Sequence, residues 1–152
     1  MIIQKATALD KAQIFEMHVS LFKGHINEIW GWDNDWQRAN FDKEWEDSNT
    51  ELITHEGDCL GYLQTRLDKD HIYVLSLGIL PEFQSIQFGA KAMRVLMNRA
   101  AEKQLPIKLN VFKTNLRVIQ FYNKLGFEVV GDNNNGVTMR WSPISDCRES
   151  LD

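Results

Sequence analysis

Cysteine and proline are scarce in this chain, with two and three residues among 152. Cys59 and Cys147 cannot build the disulfide framework of a small secreted scaffold. With nine glycines, the low proline content excludes a collagen-like or Pro/Gly-rich disordered chain. No run of about 18 apolar residues is present, so no membrane-spanning helix and no membrane partner are expected. Met1-Ile2-Ile3-Gln4-Lys5-Ala6 lacks the apolar run and cleavage site of a signal peptide, and a cytoplasmic protein is expected. His18, His25, His55 and His71 are scattered and share no ligand spacing with either cysteine, so no metal site is expected. Positive charge is not in excess either: a net charge of −4 argues against nucleic acid as the main partner.

What is present is ordinary globular composition, 43% hydrophobic and 25% charged. A chain of this length can bury one sizeable core. We expect one domain over residues 1–142 and a loose C-terminal tail over 143–152. Charge is uneven along it. Residues 28–58 hold ten carboxylates and only two bases, Arg38 and Lys43, which leaves eleven acids against fifteen bases elsewhere. Such a stretch is either a solvated acidic face or an electrostatic funnel for a cation.

Periodicity and punctuation give the elements. Met1 to Lys5 reads as a strand. Thr7 and Asp10 make an N-cap signature ahead of a helix from Leu9 to about Lys23, which Gly24 should stop. His25 to Trp45 reads as a broken helical segment. Thr50 to His55 and Cys59 to Leu67 form a hairpin. His71 to Leu80 is a strand apolar on both faces, as a centrally placed strand is. Phe88 to Gln104 is an amphipathic helix and Ile107 to Phe112 a strand. Asn115 to Leu125 is a short helix capped by Asn115 and closed by Gly126. Phe127 to Val130 and Val137 to Trp141 are the last strands. The order is β-α-α-β-β-β-α-β-α-β-β, an α/β (α+β) chain.

Three places carry chemical potential. Gly78, near the end of the central strand, marks a bulge or a close backbone approach. Leu77 and Ile79, two residues apart, present parallel N–H donors, which face a cleft if the neighbouring strand diverges. Gln84 to Gly89 runs into a helix N-terminus, where unpaired N–H groups and the helix dipole attract phosphate. Asn115 and Tyr122, seven residues apart, share one helix face. A tyrosine with its ordinary pKa near 10 carries its proton at neutral pH.

These residues together resemble the GNAT acetyltransferase superfamily. Leu77-Gly-Ile-Leu-Pro-Glu-Phe-Gln84 with Phe88-Gly89 is similar to that family's acetyl-CoA strand and pyrophosphate loop. Asn115-Leu-Arg-Val-Ile-Gln-Phe-Tyr-Asn-Lys-Leu-Gly-Phe127 is similar to its N-x-x-A-x-x-F-Y-x-K-L-G-F signature, with Val118 in place of Ala. The segment around Trp30-Gly31-Trp32-Asp33 resembles a branch of small GNAT proteins. The resemblance implies a mixed central sheet of six to seven strands, helices on both faces and a splayed central pair. It implies an N-acetyltransferase that uses acetyl-CoA as co-substrate and no metal. Leu77 N–H would hold the thioester carbonyl, and Ile79 would pair with pantetheine as a strand does. Backbone N–H groups of Gln84, Ser85, Ile86, Gln87, Phe88, Gly89 and Ala90 would hold the pyrophosphate. Asn115 would orient pantetheine, and Tyr122 would protonate the leaving thiolate. Lys124, with Lys91 and Arg94, would meet the nucleotide phosphates.

Gln87 departs from the family's loop, where glycine is usual. It fits if the loop keeps ordinary helical dihedrals and the side chain turns to solvent. The acceptor is expected to be a primary amine of a small cationic molecule, met by Glu28, Trp30, Trp32 and Asp33. Tryptophan faces and carboxylates both attract organic cations. Local packing or a homodimer interface is the alternative use of the Trp-rich stretch. A non-catalytic acyl-CoA-binding module and a protein N-terminal or lysine acetyltransferase are the alternative functions. The general base stays open among Ser76, Tyr73, His71, Glu28, Asp33, Asp35 and a water chain. Cys59 is expected to be a buried apolar residue.

Overall fold

The computed structural model describes residues 1–84 and 87–143; the side chains of His25 and Ile29 also lie outside the description. The expected tail therefore falls, apart from its first residue, outside the described residues, as do Ser85, Ile86 and Cys147.

The strands are β1 (Ile2–Lys5), β2 (Asn49–His55), β3 (Asp58–Leu67), β4 (Ile72–Ile79), β5 (Ile107–Phe112), β6 (Glu128–Asp132) and β7 (Gly136–Trp141). The helices are α1 (Lys11–Ile29), α2 (Asn34–Asp47), α3 (Pro81–Gln84), α4 (Phe88–Lys103) and α5 (Leu116–Lys124). A 3-10 turn over Ala8–Asp10 precedes α1. The seven strands form one mixed sheet in the order β1-β2-β3-β4-β5-β7-β6. The β4–β5 pair is parallel; β1–β2, β2–β3, β5–β7 and β6–β7 are antiparallel. The parallel crossover is possible because α4 lies between the two strands in the chain.

Most elements begin and end where their local chemistry says they should. Thr7 N–H donates to Asp10 Oδ2 at 2.8 Å while Thr7 Oγ1 accepts from Leu9 N–H, so the expected capping residues do cap. Asp33 caps α2 through Oδ1, which accepts from Trp36 N–H at 3.0 Å. Two expectations need correction. Gly24 does not stop the first helix, which continues to Ile29. Glycine in a helix interior costs only about 1 kcal/mol relative to alanine. Burial of Ile26 in the following turn outweighs it. The true stop is Gly31, whose φ of +80° supplies the left-handed residue beyond a helix C-cap. The helical segment over His25–Trp45 is thus broken, as expected, and the part beyond the break is a regular helix, α2. The short α3 was also not expected; it opens on Pro81, whose missing N–H suits a first helical position.

The chain divides into two compact units. The first comprises Met1–Arg66 and Ser76–Gly89. Its core joins Ala6, Ile14, Phe15, Met17, Phe41, Leu52 and Tyr62, with Leu21, Trp45 and Cys59 packed against them. Phe15 and Phe41 meet edge to face at 5.0 Å, an aromatic geometry favoured beyond its area alone. The second unit comprises Leu67–Leu75 and Ala90 onward. In it Ile107, Leu109 and Val111 of β5 are buried in strict alternation, as a sheet face requires. Gly126, at φ +103°, ends α5, and a side chain there would meet the Trp141 ring.

Two glycines of the first unit set opposite expectations. Gly24 sits in a helix interior with nothing near the position of a Cβ. A Cβ on Gly61 would land on the backbone carbonyl of Gly78. Gly24→Ala should therefore raise unfolding stability by about 0.5–1 kcal/mol. Gly61→Ala should lower it by about 3 kcal/mol or more, because backbone cannot yield as a side chain can. Urea titration of the two variants distinguishes them, and equal midpoints would refute this account of the β3–β4 approach.

Candidate functional site

β4 carries the first pair of expected residues. Its parallel register with β5 runs from Ile72–Ile107 to Val74–Leu109, and Leu77 and Ile79 lie beyond it. Gly78 between them is buried, and a Cβ there would strike the Tyr62 ring and Leu21. The expected close approach is thus real. The strand end is tied down on two sides. Leu80 N–H donates to Leu60 O at 2.8 Å, and Gln84 Nε2 donates to Ile79 O at 2.7 Å. The Gln84 side chain has a structural task; its backbone is what an anion could meet.

Gln87, Phe88, Gly89 and Ala90 open α4. Ser85 and Ile86, expected in the same loop, lie outside the described residues. Gln87 is exposed, as expected, but its φ is +61°. The condition of ordinary helical dihedrals is therefore not met. The chain must turn sharply into α4, and the left-handed region makes that turn even with a Cβ present. An L-residue pays about 1–2 kcal/mol for this conformation. The first turn of α4 carries no carboxylate. Lys91 and Arg94 follow on exposed positions. A 16-residue helix with no carboxylate of its own in the first turn suits a diphosphate.

In the second unit Asn115 caps α5, its Oδ1 accepting from Val118 N–H at 3.4 Å. With Oδ1 turned to the helix, Nδ2 is the donor the side chain keeps for a ligand. Tyr122 lies two turns on and is buried. Phe121 and Phe127 hold its ring edge-on at 5.0 and 5.3 Å. Burial pushes its phenol above the ordinary value, so the proton stays on the oxygen through neutral and moderately alkaline pH. Lys124 is exposed in the last turn.

The Trp-rich stretch in the first unit separates into two kinds. Trp45 packs on Phe41 at 6.0 Å, with Lys11 5.9 Å from its ring centroid. Trp32 is half-buried and its ring carries the Lys23 ammonium at 5.5 Å. Those faces already hold cations of the chain itself. Trp30 and Trp36 are exposed, at 63% and 59%. Glu28 is exposed and Asp33 caps α2. Of the residues considered as base, His71 sits between Asp68 and Asp70, with ring nitrogens 3.2 and 2.7 Å from their carboxylates. Tyr73 Oη accepts from Asn110 Nδ2 at 2.8 Å. Both serve the second unit's own structure.

One group was missed. His18 Nδ1 lies 3.2 Å from Tyr62 Oη, which lies 2.8 Å from Ser76 Oγ. Burial lowers His18 to about 4 and pushes Tyr62 upward, so both are neutral at pH 7. His18 was visible on the apolar face of its helix, but nothing local links residues 18, 62 and 76. Glu44 on α2 is raised by burial and partly held down by Arg66. Burial likewise raises the Cys59 thiol, which fits a packing residue rather than a nucleophile. Among the described residues no cluster of histidine, cysteine and carboxylates could hold a metal, and no helix is long and apolar enough to cross a membrane.

Comparison with known proteins adds three findings. The model of the Acetyltransferase (GNAT) family matches residues 12–127. No curated protein sequence matches the chain. Solved structures share its fold at low identity. The PaiA N-acetyltransferase from Thermoplasma acidophilum in complex with coenzyme A superposes with a TM-score of 0.76 at 15% identity, covering 93% of this chain and 98% of that one. The ribosomal-protein-S18-alanine N-acetyltransferase from Escherichia coli gives 0.72 at 14%, covering 93% and 92%. An aminoglycoside 6'-N-acetyltransferase complexed with coenzyme A gives 0.67 at 13%, covering 93% and 97%.

Two stability measurements test these local assignments. Gln87→Gly removes a left-handed L-residue at the cost of added chain entropy, and should raise stability by about 0.5–1 kcal/mol. An unchanged or lower urea midpoint would contradict the dihedral assignment. His18 binds its proton less well folded than unfolded, so its neutral form supports the fold. That support is complete above pH 6.5 and is lost as pH falls through the folded value of about 4. The loss should approach about 3 kcal/mol. Denaturant titration between pH 7 and 4 should show a shallower acid slope for His18→Asn than for the unaltered chain; equal slopes would place His18 in solvent.

Proposed function

The chain belongs to the Acetyltransferase (GNAT) family, and from that premise we propose that it moves the acetyl group of acetyl-CoA to a primary amine of a small cationic molecule by direct attack. Acetyl-CoA supplies the activated thioester. Leu77 N–H receives the thioester oxygen as it gains negative charge, the kind of fixed backbone donor that contributes most to acyl transfer. Ile79 pairs with pantetheine through its backbone. The N–H groups of Gln87, Phe88, Gly89 and Ala90 at the head of α4 take the diphosphate, and Ser85 and Ile86 complete that loop in the family pattern. Lys124, Lys91 and Arg94 add positive charge. Asn115 orients pantetheine through Nδ2. The Tyr122 hydroxyl, kept protonated by burial, gives its proton to the departing sulfur.

A cationic acceptor is supported above all by the acidic stretch. Ten carboxylates against two bases between residues 28 and 58 place a negative field on the first unit. Within it Trp30 and Trp36 keep their rings exposed near Glu28 and Asp33 in the sequence. Aromatic faces and carboxylates together suit a small organic cation. The aminoglycoside enzyme among the similar structures supports a small acceptor, and the ribosomal-protein enzyme supports a peptide one. The non-catalytic reading has one supporting observation, the side chain at Gln87 where the family pattern has glycine.

The test is CoA release from acetyl-CoA with a panel of diamines, polyamines and amino sugars beside peptides with free N-termini. We expect turnover with the small cations and little with the peptides. The reverse order would make this a protein acetyltransferase, and binding of acetyl-CoA without turnover on any amine would make it a sensor. Tyr122→Phe should lower kcat by about a hundredfold. Because burial raises the phenol, Tyr122 should produce no alkaline fall in rate below about pH 10. A variant with unchanged kcat, chemistry being rate-limiting, would remove Tyr122 from the acid role.

A further inference from the structure

A buried hydrogen-bonded chain crosses the first unit from α1 through β3 to β4. Tyr62 is fully buried at 0% exposure, so its hydroxyl can be satisfied only from within the protein. Its partners are His18 Nδ1 at 3.2 Å and Ser76 Oγ at 2.8 Å. The His18 ring is surrounded by Phe15, Phe22 and Phe41, with ring centroids at 6.5, 5.3 and 5.7 Å. Ser76 is half-buried, so the chain has one end in an aromatic cage and one end reaching toward the surface. Ser76 also shares its peptide bond with Leu77, whose N–H is the proposed oxyanion donor.

The chain has a direction. A phenol is the most acidic donor of the three groups, and an imidazole nitrogen is the strongest neutral acceptor. Burial keeps His18 neutral at pH 7, so one ring nitrogen is available to accept. When that nitrogen is Nδ1, Tyr62 O–H donates to it and the Tyr62 oxygen accepts from Ser76 O–H. With its proton committed inward, Ser76 Oγ keeps its lone pairs for what arrives from outside. Removing one member alone leaves a buried polar group without its partner, at a larger cost than removing the pair.

We propose that Ser76 Oγ accepts a hydrogen bond from the acceptor amine, and that Tyr62 and His18 are positioning residues which hold the Ser76 proton inward. An amine N–H held by Ser76 turns the nitrogen lone pair away from that bond and toward the thioester carbon. The group selected is an N–H donor, and the protons on nitrogen are not consumed by the contact. This inference rests on the reading of direct amine attack.

Steady-state kinetics and nitrogen NMR test it. Ser76→Ala should raise the acceptor KM and lower kcat/KM for the acceptor by about tenfold, with the acetyl-CoA dissociation constant unchanged. Ser76→Cys, close in shape but a poor acceptor, should behave alike and serves if the alanine variant folds badly. Ser76→Thr should restore most of the loss. Tyr62→Phe should fall in the same direction, and adding it to Ser76→Ala should cost nothing further, because the two act as one chain. In the unaltered protein the nitrogen-15 shift of His18 Nδ1 should be that of an unprotonated, hydrogen-bonded ring nitrogen, and it should move in Tyr62→Phe. Unchanged acceptor kinetics in both Ser76→Ala and Ser76→Cys, additive losses in the double variant, or a protonated Nδ1 would each overturn the proposal. Unaltered protein that turns over amines normally while the serine variants match it overturns this inference alone. Unaltered protein that binds acetyl-CoA and acetylates no amine overturns the transfer reading and this one with it.

Discussion

At Gly61 the backbone of β3 comes so close to the Gly78 carbonyl of β4 that the position has no room for a side chain. The space a Cβ would take at Gly78 is filled by the Tyr62 ring and by Leu21 of α1. That crowding fixes where Tyr62 stands, and Tyr62 in turn fixes the hydroxyl that joins His18 to Ser76. It also sets the position of the β4 backbone over Ser76 to Ile79, the stretch that carries the proposed oxyanion donor. A strand held only by ladder bonds could slide. One wedged against a ring and a helix cannot do so without repacking a dense core. The chemistry proposed for β4 depends on that wedge more than on any charged pair, since ion pairs such as Lys11–Asp42 and Lys113–Asp132 lie at exposed or half-buried positions and contribute little.

Burial also decides which protons the interior carries. His18 is pushed down and Tyr62 and Tyr122 are pushed up by the same cause, loss of water around the charged form. All three are therefore neutral at pH 7. A neutral imidazole can accept, and a neutral phenol can donate; neither would do so reliably in solvent. The acidic charge lies elsewhere in the chain, within residues 28–58, and the head of α4 is free of it. The separation along the sequence of the acidic stretch from the proposed diphosphate loop suits the two proposed ligands, which carry opposite charge.

Much of this was open to reading from local patterns. The Thr7–Asp10 cap, the alternation of Ile107, Leu109 and Val111, and the Asn115 cap two turns before Tyr122 are all determined by neighbours within a few residues. The family signatures lie in short continuous segments for the same reason, and the family match over residues 12–127 agrees with them. Errors came where a local rule met a distant contact. Gly24 is a plausible helix stop by itself, but Ile26 beyond it finds a buried place and carries the helix on to Gly31. Gln87 should avoid the left-handed region by its own preference, and the turn into α4 puts it there.

The sequence by itself determined the strands and the longer helices, their order, the uneven charge and the segments that carry the acetyltransferase pattern, because each depends on spacing along the chain. Tertiary structure alone decided that residues 18, 62 and 76 form one hydrogen-bonded chain, that lysines lie over the faces of Trp32 and Trp45 while Trp30 and Trp36 are exposed, and that Tyr122 is held between two phenylalanine rings. These follow from which side chains water is excluded from, and exclusion of water is a property of three-dimensional packing that no single segment contains.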